Sequence, residues 1–197
     1  MPHLPPTAAG LPWAAAGLFL TLASAHAAPD AQQVVLPQSS IKFISKQMGV
    51  PVEGQFKRFK VLSHFDPAHP ETSSVVIDVD LGSVDIGHPD TESELKKPGW
   101  FDAVRRPIAS FQSQAVKGIA ADRFEVLGTL TIKGLTQKVV VPVQLSRKGD
   151  VTTARGAFPI RRMDFRIGDG EWNDISIVAN DVQVNFQLAL TGVPARR

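Results

Sequence analysis

The sequence predicts an all-β protein, an eight-stranded antiparallel barrel with one short helix near residues 91–97. Three observations carry that expectation. Apolar side chains recur at every second position in one segment after another, the period at which a strand sends successive side chains to opposite faces. Fifteen glycines and 15 prolines are spread along 197 residues, and they punctuate the segments as turns do. The segments are short and regularly spaced, which favours an antiparallel sandwich or barrel over parallel βαβ units.

Taken in order, residues 40–46 turn Ile41 and Phe43 inward. Residues 54–65 follow, and there the phase slips, because Phe56 and Phe59 are three apart. A bulge near Lys57-Arg58 that bends the strand accounts for the slip, and such bends close barrels. Val75, Ile77, Val79 and Leu81 share one face of the third strand, with Asp78 and Asp80 on the other. Residues 108–116 form the fourth. Phe124, Val126, Leu130 and Ile132 mark the fifth, and Val139, Val141, Val143 and Leu145 the sixth. Residues 152–161 turn Gly156, Phe158 and Ile160 inward. In the last strand Val182, Val184, Phe186, Leu188 and Leu190 alternate with Asp181, Gln183, Asn185 and Gln187. Asp66-Pro67, Lys133-Gly134 and Lys148-Gly149-Asp150 supply turns between segments.

One stretch breaks the period. Thr91 and Glu94 stand at capping-box spacing, which starts a short helix at Thr91 and ends it before Pro98-Gly99. Trp100 and Phe101 follow at once. The helix then either plugs the barrel with two large aromatics or is stapled by them to the core.

Residues 1–27 read as a signal peptide and residues 28–197 as one domain. The run from Leu11 to Ala27 is apolar and ends on Ala25-His26-Ala27, small residues where a signal peptidase reads. Its first residues carry no Lys or Arg. The apolar core is shorter than the roughly 20 residues a bilayer span needs, and Pro12 interrupts it. A periplasmic or secreted product cleaved near Ala27 is the expectation.

Composition removes several function classes. The net charge is +2, from 21 Lys+Arg against 19 Asp+Glu, and the basic residues are scattered, so a nucleic-acid role is not expected. With no cysteine there is no disulfide, thiolate metal site, iron–sulfur cluster or thiol nucleophile. A polar outer face and the lack of any Tyr argue against an outer-membrane barrel. His64 and His69 flank Asp66, but a spacing of five across a turn aligns neither as metal ligands, and a solvated loop is favoured. Asp169-Gly170-Glu171 reads as a turn. No nucleophile elbow, zinc helix, phosphate loop or dinucleotide fingerprint occurs, so neither catalysis, nor a cofactor, nor a metal is expected.

The residues resemble a known family. Ser83-Val84-Asp85-Ile86-Gly87 leading to Trp100-Phe101-Asp102 is similar in order and spacing to the YceI-like family. So are Pro107-Ile108-Ala109-Ser110-Phe111-Gln112-Ser113 and the run Gly128-Thr129-Leu130-Thr131-Ile132-Lys133-Gly134-Leu135-Thr136. Gly54-Gln55-Phe56 and Arg162-Met163-Asp164-Phe165 resemble its second and penultimate strands. The resemblance covers residues 34–190. It implies a periplasmic or secreted, lipocalin-like barrel that binds a polyisoprenoid or other long lipid, isoprenoid quinones included, and a partner of the cytochrome b561 type in the membrane.

Physical chemistry supports such a carrier independently. An eight-stranded barrel is either filled by side chains or just wide enough for one small ligand. The inward phases are almost uncharged, and an apolar cavity recovers roughly 0.8 kcal/mol per buried methylene without specific polar contacts. The residues expected to line it are Phe43, Phe56, Ile77, Val79, Phe111, Phe124, Val126, Leu130, Val141, Phe158, Val184 and Phe186, with Trp100 and Phe101 at the helix-capped end. Phe165 and Trp172 are candidates for its mouth. Two other readings stay open: a solid barrel acting through its surface loops in stress or adhesion, and an enzyme. The second needs converging polar groups, for which the inward phases offer only Ser45, Ser113 and Asp164.

Overall fold

The computed structural model describes residues 32–195; the expected signal peptide of residues 1–27 and Arg196-Arg197 lie outside the described residues. Among the described residues eleven strands form one sheet in which every pairing is antiparallel. They are β1 (Gln33–Val34), β2 (Ser40–Gln47), β3 (Val50–Phe56), β4 (Phe59–His64), β5 (Ser74–Asp80), β6 (Val84–Asp85), β7 (Ile108–Gly118), β8 (Arg123–Ile132), β9 (Leu135–Lys148), β10 (Val151–Arg161) and β11 (Asp181–Thr191). Hydrogen bonding runs β4-β5-β7-β8-β9-β10-β11-β2-β3-β6, with β1 on β11. All eight expected strands are present. The count rises because residues 54–65 divide into the end of β3 and β4, and because β1 and β6, two residues each, are too short to show a period.

The division closes the barrel. β4 begins the hydrogen-bonded path and β3 lies next to its other end, yet only Lys57 and Arg58 separate them in sequence. At this bend the chain bonds to the turn of residues 81–83. Lys57 N donates to Ser83 O at 3.1 Å, and Arg58 N donates to Ser83 Oγ at 3.0 Å. The bend also shifts the inward phase by one residue, so that Phe56 before it and Val61, Ser63 and Phe65 after it all face the interior. A straight strand would turn one of those sets into water. At the opposite end the seam is stitched by Gln32. Its amide nitrogen donates to Phe65 O at 2.7 Å, and its oxygen accepts from Ser63 Oγ at 2.7 Å and Phe65 N at 3.0 Å.

A second irregularity was not legible. β7 and β8 change register between Ser113 and Ala115, a bulge that moves the inward phase from Phe111 to Val116, which is buried.

The helix α1 spans Pro89–Leu95 rather than residues 91–97, and Thr91 does not cap it. Pro89 occupies the first helical position, where its fixed φ suits the helix and its missing N–H is not needed. His88 is the cap residue and contributes no side-chain bond. Instead Glu92 turns back, its carboxylate accepting from Ile86 N at 3.1 Å. Thr91, Glu94 and Leu95 face the barrel interior, so α1 covers that end, here called the upper one.

β6 fastens the C-terminal end of β3, near the bend. Gln55 Nε2 donates to Asp85 Oδ2 at 2.9 Å and Lys57 Nζ lies 3.1 Å from it. The Gln55 amide, then Lys57, hold the Asp85 carboxyl down at about 2, against 3.8 without these partners. A folded value below the unfolded one gives stability that is present above about pH 4 and lost as pH falls through about 2. The melting temperature should therefore decline over that window, and Asp85→Asn should remove this part of the decline.

Candidate functional site

The barrel is hollow. Two cavities lie next to each other inside the barrel, and Ile41, Val79, Ala109, Leu130, Phe158 and Val184, which line both, form the waist between them. The lower one measures about 130 Å³ and the upper one about 230 Å³. Strand periodicity produces this lining directly. β5 contributes Val75, Ile77 and Val79, β9 contributes Val141, Val143 and Leu145, and β11 contributes Val184, Phe186, Leu188 and Leu190. The outward members of the same strands, such as Lys138 and Gln144, are exposed.

Glycines keep the lumen open. Phe43 pairs with Gly54 across β2 and β3, and Phe186 with Gly156 across β11 and β10. A Cβ on Gly54 would lie 2.3 Å from the Phe43 ring and one on Gly156 2.4 Å from the Phe186 ring. Gly128 pairs with Ser113, and a Cβ on it would lie 2.6 Å from the Phe111 ring two residues along the same neighbouring strand. Each ring thus covers a glycine of the neighbouring strand, the arrangement by which an aromatic shields a glycine in a curved sheet. Gly54→Ala should push the Phe43 ring into the upper cavity, because its other near neighbour is the Ile86 side chain at 2.7 Å. The expected result is a loss of about 1–3 kcal/mol from overpacking together with reduced uptake of bulky apolar ligands, measured by denaturation and by binding.

Thirteen of the fourteen expected lumen residues line one cavity or both: Ile77, Phe111, Val126, Val141 and Phe186 the lower, Phe43, Phe56, Trp100 and Phe101 the upper, and Val79, Leu130, Phe158 and Val184 the waist. Phe124 does not. It is 1% exposed and stacks edge-to-face on Phe65 at 5.1 Å, so it belongs to the core behind the lower cavity. Its position near the start of β8 places it past the lumen although its phase is inward. Phe165 likewise sits in the core, while Trp172 lines the upper cavity and packs on Trp100 at 5.7 Å. Of the polar inward candidates only Ser45 reaches the lumen. Ser113 Oγ instead accepts from Val75 N at 2.8 Å, and Asp164 pairs with Arg161 at 3.0 Å.

Among the described residues the wall of the lower cavity has two polar members, Ser63 and Thr152, and is otherwise aliphatic and aromatic. The upper one adds Ser45, Gln47, Thr91, Glu94 and Arg162. Sequence reasoning missed Arg162, which is 1% exposed. Its guanidinium donates to the carbonyls of Ile167, Gly168, Trp172, Val178 and Ala179 at 2.8–3.3 Å, and no carboxylate pairs with it among the described residues. Nothing in a lone Arg beside a strand end signals such burial. Chemically the site offers apolar volume and a few donors; among the described residues no three His, Cys, Asp or Glu side chains are grouped to hold a metal.

An antiparallel barrel with a hollow apolar lumen, roofed by a short helix, defines a lipocalin-like protein of the cavity-bearing kind. The chain belongs to the YceI-like family: the model of the YceI-like domain matches residues 33–190. It is 30% identical over 139 residues to a UPF0312 protein of Vibrio cholerae, covering 68% of this chain and 74% of that one. A UPF0312 protein of Azotobacter vinelandii is 30% identical over 96 residues, and there the match spans half the length of the relative. Among solved structures, BcnA of Burkholderia cenocepacia is 40% identical with a TM-score of 0.78, covering 80% of this chain and 99% of that one. A polyisoprenoid-binding domain from Saccharophagus degradans shares the fold at 16% identity, with a TM-score of 0.67 over 83% of this chain and 99% of that one.

Proposed function

We propose that this protein is an exported carrier that holds one long isoprenoid lipid, a polyisoprenoid or an isoprenoid quinone, in the barrel lumen for transport or storage. The observation that carries the reading is the apolar interior, two adjacent cavities that share six wall residues, with Ser63 and Thr152 the only polar residues lining the lower one among the described residues. Such a wall stabilises a hydrocarbon chain by roughly 0.8 kcal/mol per methylene removed from water. The solid-barrel alternative loses its premise, since the interior is not filled. The Saccharophagus domain of the same fold, described as polyisoprenoid-binding, supports the ligand class. Catalysis is not part of the reading: the groups that face the lumen include no paired acid and base and no activated nucleophile.

Export to the periplasm rests on the apolar run ending at Ala27. Exchange with a membrane protein of the cytochrome b561 type rests on the family resemblance alone. Delipidated protein should take up a polyprenol or an isoprenoid quinone from a detergent-dispersed mixture, at one molecule per chain. Uptake of neither by folded protein contradicts the reading.

A further inference from the structure

At the rim of the upper cavity two tips of the chain end in exposed apolar side chains. The first is the two-residue turn between β2 and β3, where Met48 has φ +49°, Gly49 has φ +80° and Gln47 pairs with Val50. A left-handed turn position of this kind favours Asn or Gly. Here it carries a large apolar side chain that is 77% exposed, beside an exposed Val50. The second tip is residues 174–178. Asp174 Oδ1 accepts from Ser176 N at 2.8 Å and Ser176 Oγ at 2.7 Å, and Asp174 O accepts from Ile177 N and Val178 N at 3.2 and 3.1 Å. This tight turn leaves Ile175 and Ile177 exposed. The two tips are bonded into one unit, Met48 N donating to Ile177 O at 2.7 Å and Ala179 N to Lys46 O at 2.9 Å. Gln47, Val52 and Val178, which adjoin them, line the upper cavity, and Gln47 is itself exposed. Four large apolar side chains gathered at a cavity rim mark a surface that something covers.

Charge decides what covers it. Residues 47–51 and 175–178 include no charged side chain, and their one hydroxyl, on Ser176, is bonded to Asp174, so the tips offer little to specify a polar protein partner. Behind them stand Lys46, Glu53, Glu171 and Asp174, all exposed. One base among three acids is repelled by an anionic surface, whereas uncharged apolar tips enter the acyl boundary of a zwitterionic one. We infer that the paired tips insert into a lipid bilayer of zwitterionic head groups, which seats the rim of the upper cavity in the membrane and lets cargo enter the barrel without crossing water. This rests on the lipid-carrier reading and adds to it the surface by which the carrier meets its donor membrane.

The test uses the chain of residues 28–197. It has no cysteine, so single introduced thiols report position by position. Met48→Cys and Ile175→Cys, each labelled with a polarity-sensitive fluorophore, should shift to the blue with phosphatidylcholine vesicles. Ile119→Cys, at an exposed apolar position in the turn between β7 and β8 at the other end of the barrel, should not. Unlabelled wild type should float with the same vesicles to an extent that added salt does not reduce, and phosphatidylglycerol in the vesicles should weaken the association. The double variant Met48→Ser, Ile175→Ser should lower the partition coefficient about tenfold or more. Neither residue lines a cavity, so this variant should take up a polyprenol from detergent dispersion as wild type does, while its uptake from vesicles slows in step with the partition coefficient. Equal shifts at positions 48 and 119, no flotation of wild type, or flotation that requires phosphatidylglycerol overturns the inference. So does a blue shift at position 48 that grows with protein concentration in the absence of vesicles, which assigns the tips to a second copy of the chain. Insertion through the tips by a folded protein that takes up no lipid from either source keeps the membrane surface and removes the carrier reading. Flotation of unlabelled wild type decides the matter even if a variant folds poorly.

Discussion

Val126→Asp should abolish lipid uptake. Val126 is 6% exposed, sits on β8 opposite Val141 and Val116, and lines the lower cavity. Among the described residues no cationic side chain lines that cavity to pair with a carboxylate. An unpaired buried carboxylate costs several kcal/mol or is forced to protonate, and either form leaves a polar group where the chain must lie. Part of the cost falls on folding, so Val126→Thr is the companion variant. It keeps the branched shape and adds one hydroxyl, and should reduce retained lipid while the barrel still shows its β-signal in circular dichroism. Normal uptake by a folded Val126→Asp protein would place the chain outside the barrel.

Arg162→Met should be the most destabilising single change at the site. The guanidinium satisfies carbonyls of residues 167, 168, 172, 178 and 179, and an apolar replacement leaves them buried without donors. A loss of about 3–5 kcal/mol in chemical denaturation is expected. Arg162→Lys should recover only part of it, because an ammonium brings three donors in place of a planar set of five. Since the same carbonyls hold the loop that presents Trp172, the Trp100–Trp172 contact should loosen as well, visible as a red shift of indole emission. A loss under about 1 kcal/mol would mean that the loop has other support.

The parts of this fold that were legible in the sequence are those governed by period. β5, β8, β9 and β11 announce themselves because each has one apolar and one polar face, and that same alternation places Ile77, Val126, Val141, Val184 and Phe186 in the lumen wall. The kink at Lys57-Arg58 was legible as well, through the three-residue interval from Phe56 to Phe59. What period cannot give is distance along the barrel axis. Phe124 has the right phase and the wrong height, so it packs on Phe65 rather than facing the cavity. The helix start was misplaced because Thr91 offered a capping box, whereas Pro89 fixes the first turn. Arg162 was missed for a different reason: a charged side chain is read as exposed unless an acid accompanies it, and here the partners are backbone carbonyls with no sequence signature. Period is also silent on the glycines that Phe43, Phe111 and Phe186 cover, because which ring meets which glycine depends on how the strands pair.

The most direct measurement is organic extraction of the protein purified from its native host, followed by mass spectrometry of the extract. A polyisoprenoid or isoprenoid quinone, near one per chain in wild type and absent from folded Val126→Asp, is the predicted result. Wild-type protein that is folded, carries no lipid and takes none up from polyprenols and quinones would contradict the account at its centre.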